Sequence, residues 1–342
     1  MSPRMAPDGA QRSYRIFGVT LATDYPLRTP LPETDDPPEL FFTCSESGFP
    51  EPTPPKATPD YASRNLLDSG VPFMELHRGS ESDLLRFREV ADFRVSRDAI
   101  RARLFDPAYA HMVEIHLLGT VFSYWMERRG IPVLHAAAVA VDGRAIGFMA
   151  TNRGGKSSLA ASLMQAGHPM LSDDLVAIQL SDEGFEVRPG YPSMRLWPDQ
   201  AAHFDPEWER LPIVHPRFSK RRLRVGTGGF GRFLDAPLPL SALYLPDRRD
   251  ADGGEAGATG VTIEPLPQRE AVIELIRGSF LPELLQVAGF AEDRLRMLAG
   301  LAEEIPVRRL GYPEGMHRLP RVRDRILDDA RSLVPSTRPG GS

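Results

Sequence analysis

Lys156 and Ser157 stand directly behind Gly154 and Gly155, at the end of the run Ala150-Thr151-Asn152-Arg153-Gly154-Gly155-Lys156-Ser157-Ser158. The residues before the run, Ala136 to Met149, are β-rich and apolar, with a turn signal at Asp142-Gly143. Those after it, Ser157 to Gln165, read as a helix closed by Gly167. A strand, a glycine-bearing loop and a helix opening on Lys-Ser form the layout of a phosphate-binding loop. The first amides of a helix have no intrahelical partner, and the helix dipole gathers partial positive charge around them. Glycine lets the backbone approach a phosphate without a Cβ in the way. Lys156 adds a point charge, and the Ser157 hydroxyl suits Mg²⁺. The usual pattern is G-x-x-x-x-G-K-[ST], and here its first glycine is Ala150. With that departure the loop alone also fits an ordinary βα turn carrying an exposed lysine.

Seventeen residues after Lys156 comes the pair Asp173-Asp174, room for one helix, one turn and one further strand, Met170 to Ser172. If that strand lies beside the first, the pair ends at the same sheet edge as the loop. Two adjacent carboxylates there can divide the work, one near a metal and one accepting a proton from an attacking hydroxyl. A solvated turn or a helix cap is the plainer use of such a pair.

The segment resembles the HPr serine kinase family, specifically its carboxy-terminal catalytic domain, relatives of which also occur as stand-alone kinases, some associated with lasso-peptide biosynthesis. The likeness is carried by LHAAAV with His135, by ATNRGGKSS, by LSDDLVAI, by GYPSMRLWPD, by the basic FSKRRLRV and by a late VRRLGYP, and it spans about Ile131 to Leu327. It implies a fold related to the phosphoenolpyruvate carboxykinases, ATP with Mg²⁺, and transfer of a γ-phosphoryl group to a serine hydroxyl. Carried over by position, Lys156 and Ser157 hold phosphate and metal, with Asp173 also at the metal. Asp174 or Asp173 serves as base, and His135 sits beside the reacting phosphoryl. The chain departs from the family loop G-x-S-G-x-G-K-S at Ala150, Asn152 and Arg153, and it has Ser158 where the bifunctional kinase/phosphorylases have glutamate. The reverse phosphorylase activity therefore has no support. HPr kinases assemble as hexamers, which leaves a homo-oligomer open.

The elements that must position these residues fall into two parts. Residues 1–13 read as a disordered start and 14–105 as a small, mainly β domain, with strands at Tyr14–Leu21 and Glu39–Thr43 and a proline-rich loop over 46–60. Pro107 to Arg129 changes to helical period through Met112, Ile115, Leu118, Val121, Phe122 and Trp125, giving a connecting helix over 106–130. His111 and His116 are five apart and do not share a helix face as a metal pair would. A catalytic α/β domain over 131–333 and a disordered tail over 334–342 complete the chain. His135, after the apolar Pro-Val-Leu, reads from the residues alone as a satisfied core histidine; the resemblance turns it toward the loop. Arg195 fits two roles, neutralising a transferring phosphoryl or pairing with an acid in the core. The basic run through Arg217, Lys220, Arg221, Arg222 and Arg224 reads as a solvated face or a loop. In a phosphotransferase it is also a candidate for nucleotide phosphate contacts or for an acidic peptide substrate, Arg221 and Arg222 being named for phosphate or substrate contacts.

At 342 residues, 42% apolar and net charge −5, the composition gives no sign of nucleic-acid binding. The single cysteine, Cys44, rules out an internal disulfide and suits a reducing cytoplasm. No run is long enough to span a bilayer, and the start has no apolar core of a secretory signal. The expectation is an α/β, P-loop kinase domain preceded by a small β domain, cytoplasmic, phosphorylating a peptide, protein or small-molecule hydroxyl. The alternative is a nucleotide-binding regulatory or scaffold protein of a peptide-modification pathway that transfers nothing.

Overall fold

The computed structural model describes residues 11–46, 58–150, 154–215, 218–249 and 260–333. Thr151, Asn152 and Arg153, the proline-rich 47–57 and both chain ends, 1–10 and 334–342, lie outside the described residues. The chain is mixed α/β and divides into two compact units, 1–133 with 280–294, and 134–279 with 295–342. Among the described residues no helix is long and apolar enough to cross a membrane.

The first unit is built on a sheet in the order Arg12–Ile16, Val19–Thr23, Leu40–Ser45, Ala99–Leu104, Ala91–Val95, Asp83–Phe87, Met74–His77, Tyr61–Ala62. Tyr14–Leu21 is not one strand but a tight hairpin. Phe17 at φ 52° and Gly18 at φ 68° turn the chain so that Ile16 faces Val19, and two consecutive left-handed residues match the twist of paired strands. The helix expected over 106–130 belongs to this unit and is segmented into Ala110–His116 and Phe122–Arg128 around a wider π turn, Leu117–Val121. Gly119 in that turn has φ −106° and ψ −106°, outside helical values. The helical run packs on the sheet through Phe122 against Phe17 and through His116, buried and stacked on Phe87 at 4.0 Å between ring centres.

In the second unit, strands follow in space as Met170–Ser172, Ala136–Val141, Arg144–Met149, Leu238–Arg249, Gly184–Arg188 and Val176–Ser181. Farther along, Leu238–Arg249 runs parallel to Val307–Pro313, which pairs with Thr262–Pro265. The unbroken apolar run that suggested a strand has a physical cause, since both faces are covered. Ala137, Val139, Ile146 and Phe148 face Leu159, Leu163 and Met164 of the helix Lys156–Gln165, and Val322 and Ile326 of the closing helix Leu319–Leu333. Ala136, Ala138, Ala145 and Met149 face the other way, toward Leu275, Leu298 and Leu301. A small separate sheet, Ser193–Leu196, Phe218–Arg224, Ile213–His215, stands apart from the large one. The basic run expected as a solvated face is its middle strand, and Arg217, just before it, lies outside the described residues.

Candidate active site

Sheet topology brings the chemistry-bearing residues to one edge. Met170–Ser172 and Arg144–Met149 each run antiparallel to the strand Ala136–Val141 between them, so both point the same way. Ala138 faces Gly147 on one side and Ser172 on the other. The loop after Met149 and the aspartates after Ser172 therefore leave the same edge. His135 precedes Ala136, which pairs with Met149, and so begins at that edge too. Its backbone N–H donates to the Gly278 carbonyl at 2.7 Å.

At that edge the helix Lys156–Gln165 starts behind Gly155, which has φ 92°. A Cβ there would meet the Tyr312 hydroxyl at 2.5 Å. Gly155→Ala should therefore lower stability by at least about 1–2 kcal/mol for the left-handed backbone alone. Adding Tyr312→Phe should relieve only the contact. Thermal unfolding of the single and double variants checks this, and equal stability of Gly155→Ala and wild type would count against the geometry.

Lys156 is only 7% exposed, and its Nζ donates to the Ala150 carbonyl at 2.7 Å. Burial pulls its ammonium down to about 8; Asp173 and Asp174 oppose the fall and Lys220 adds to it. Ser157 Oγ donates to Asp173 Oδ1 at 2.8 Å, and the Arg195 backbone N–H donates to Asp173 Oδ2 at 2.9 Å. Asp173 is buried, and burial together with the neighbouring Asp174 charge raises its pKa.

Asp174 is held differently. Arg195 Nη1 donates to its Oδ2 at 2.8 Å, and His135 Nδ1 lies 3.8 Å from its Oδ1. Burial pushes its carboxyl up, but Arg195, His135, Lys220 and Lys156 outweigh this and hold it at about 2. The residue also has φ 74°, a left-handed backbone that aspartate tolerates better than most side chains and that concentrates at functional sites. Of the two roles Arg195 fitted, the structure displays the ion pair, and that pair lies inside the cleft.

One cleft is lined by His135, Gly154, Gly155, Lys156, Ser157, Asp174, Arg195, Trp197, Gln200 and Lys220. Ser158 is buried and does not line it. Arg221 is turned away, donating to the carbonyls of Glu209 and Leu211 with its guanidinium over the Trp208 ring. Arg222 pairs with Arg195 across the small sheet and does not line the cleft either. Sequence reasoning gave Trp197, Gln200, Lys220 and Tyr312 no role of their own, although Trp197, Lys220 and Tyr312 lie in motifs that carry the resemblance. For Lys220 the signal was alternation along the strand Phe218–Arg224. Tyr312 approaches Gly155 from a strand far along the chain.

No protein-family model matches the chain, and no curated protein does. Among solved structures it is similar to the Hpr(Ser) kinase/phosphatase from Coxiella burnetii, at 11% identity and a TM-score of 0.32, covering 58% of this chain and 96% of that one. A likeness that distant carries no residue role across.

Proposed function

We propose that the second unit is an ATP-dependent kinase of the HPr kinase type, moving a γ-phosphoryl group to the hydroxyl of a peptide, protein or small molecule. The observation that carries the reading is the division of labour within one cleft. Lys156 and Ser157 at a helix start line it with one carboxylate, Asp174, kept ionised by Arg195, while the other, Asp173, is buried behind the lining and bonded to that serine.

Phosphoryl transfer needs little covalent chemistry from a protein, chiefly positioning and charge neutralisation. The amides behind Gly155 and the Lys156 ammonium would cradle the β- and γ-phosphates. The acceptor oxygen bonds the γ-phosphorus as the bond to the β–γ bridging oxygen breaks. The electron pair of that bond leaves with ADP, and the acceptor proton passes to Asp174. His135, against the other oxygen of Asp174, keeps the carboxylate oriented.

The donor set at Ser157 and Asp173 fits Mg²⁺, a hard ion that takes one or two carboxylates and fills its remaining positions with water and substrate phosphates. Among the described residues no group of three or more His, Cys, Asp or Glu could hold a metal ion by itself. Ser157 and Asp173 would hold the ion, which would supply charge neutralisation for the phosphates.

The test is calorimetric binding of ATP with Mg²⁺ to wild type and to Lys156→Ala, followed by assay of phosphate release. Wild type should bind and turn over slowly without an acceptor. Lys156→Ala should bind about 10- to 100-fold more weakly, as loss of a charged hydrogen bond worth ~1.5–3 kcal/mol implies. Absence of binding in both proteins would sink the kinase reading and leave the scaffold alternative in front.

A further inference from the structure

Lys220 is a third cation in the cleft, after Lys156 and Arg195, and it is held unlike either of them. It comes from the small sheet. Ser193–Leu196 pairs with Phe218–Arg224 through Arg195 with Arg222 and Leu196 with Arg221. One residue beyond the last of these pairs stand Trp197 and Lys220. Alternate residues of a strand share a face, so Arg195 and Trp197 lie on one side with Lys220 and Arg222. Both Trp197 and Lys220 line the cleft, and the Lys220 ammonium lies 5.4 Å from the centre of the Trp197 ring.

The other cations nearby are committed. Arg195 is bonded to Asp174, Lys156 to the Ala150 carbonyl, and Arg221 to the carbonyls of Glu209 and Leu211. Among the described residues the Lys220 ammonium makes neither a hydrogen bond nor an ion pair. Its charge nevertheless reaches Asp173, Asp174 and Lys156, since it acts on the protonation of all three. A half-buried lysine that serves only the fold normally has a carboxylate partner. This one is propped on an aromatic face, which attracts the cation without consuming its three donors. Its charge also opposes that of the Lys156 ammonium across the cleft they both line, an arrangement that an incoming polyanion would relieve.

Resting on the kinase reading above, we propose that Lys220 is a catalytic residue whose ammonium, seated on Trp197, contacts the γ-phosphoryl group as it moves and stabilises its transition-state charge. Lys156 then serves the bound nucleotide in the ground state, and Lys220 the phosphoryl in flight. The role is that of a charge-stabilising finger supplied from the same chain. The rate gained comes from interaction that is stronger in the transition state than in the ground state.

The experiment compares the affinity of ADP–Mg²⁺ with and without aluminium fluoride, which mimics the planar phosphoryl, by calorimetry on wild type, Lys220→Met and Lys220→Arg. Wild type should bind ADP more tightly when fluoride is present. Lys220→Met should bind plain ADP as wild type does, since ADP lacks the γ-group, and lose about 100-fold or more of the fluoride enhancement, the lower end of what a transition-state donor supplies. Lys220→Arg should keep part of it. An undiminished enhancement in Lys220→Met overturns the proposal, as does no enhancement in wild type. Equal loss of plain ADP affinity in Lys220→Met assigns Lys220 to ground-state binding and overturns it as well. Failure of wild type to bind ADP at all is a different result: it removes the kinase reading, and this proposal with it.

Discussion

If the second unit is the kinase proposed above, Asp174→Asn is expected to reduce phosphoryl transfer by about 10²–10⁴-fold, the usual contribution of a positioned proton acceptor, while leaving ATP–Mg²⁺ affinity within a few-fold of wild type. The substitution is a clean probe for structural reasons. Asparagine tolerates the φ of 74° at this position, and its amide oxygen can still accept from Arg195 Nη1. What is lost is the negative charge and the ability to take a proton. A carboxylate held at about 2 is fully ionised at neutral pH and is a weak base. That suits a loose phosphoryl transfer, in which the attacking hydroxyl gives up its proton late and needs orientation first. Asp173→Asn should behave differently. Its carboxylate accepts from both Ser157 Oγ and the Arg195 backbone N–H, and an amide can accept on one side only. That variant should lose affinity for ATP–Mg²⁺ more than turnover of what is bound. Single-turnover assays at saturating nucleotide, beside calorimetry, separate the two. Near-normal transfer in Asp174→Asn with loss in Asp173→Asn would reverse the roles.

The parts of this site that could be read from sequence are those set by local chemistry. A helix starting behind Gly155, a short strand ending on two aspartates and a histidine leading into a strand all lie within about one residue of where the pattern puts them. Hydrophobic alternation failed where tertiary structure overrode it. The run Tyr14–Leu21 alternates well enough for one strand, yet two residues with positive φ fold it into a hairpin. Arg195 was ambiguous because its partner, Asp174, is 21 residues earlier, a pairing that no periodicity records. Lys220 went unassigned because a cluster of like charges reads as a solvated face. The strand that contains it turns Arg221 away from the cleft and sets Lys220 over Trp197 within it. Reading the run with period two would have separated those neighbours.

Arg294→Leu is expected to destabilise the first unit by about 3–5 kcal/mol, the usual result of removing one partner of a buried ion pair. Arg294 is 9% exposed and Glu127 6%. Arg294 Nη1 bonds to Glu127 Oε1, and its Nη2 donates to the Val133 carbonyl at 3.0 Å, while Glu127 Oε1 accepts from the Val133 N–H at 2.8 Å. One guanidinium thus ties the segment 280–294 to the helix Phe122–Arg128 and to Val133, across long sequence separations. Burial already raises the Glu127 pKa despite Arg294, and without the arginine it must rise further. The sign of the pH effect follows. A carboxyl whose folded pKa lies above its unfolded value stabilises the fold when protonated, and that contribution is lost as pH rises through the folded pKa. The gap between wild type and Arg294→Leu should therefore be widest at neutral or higher pH and narrow on acidification. Glu127→Gln together with Arg294→Leu should recover much of the single variant's loss, because no buried charge then remains without a counter-charge. Urea unfolding followed by circular dichroism at pH 7.5 and pH 5 tests both points. A loss that is independent of pH and unrelieved in the double variant would mean that Arg294 contributes packing rather than charge.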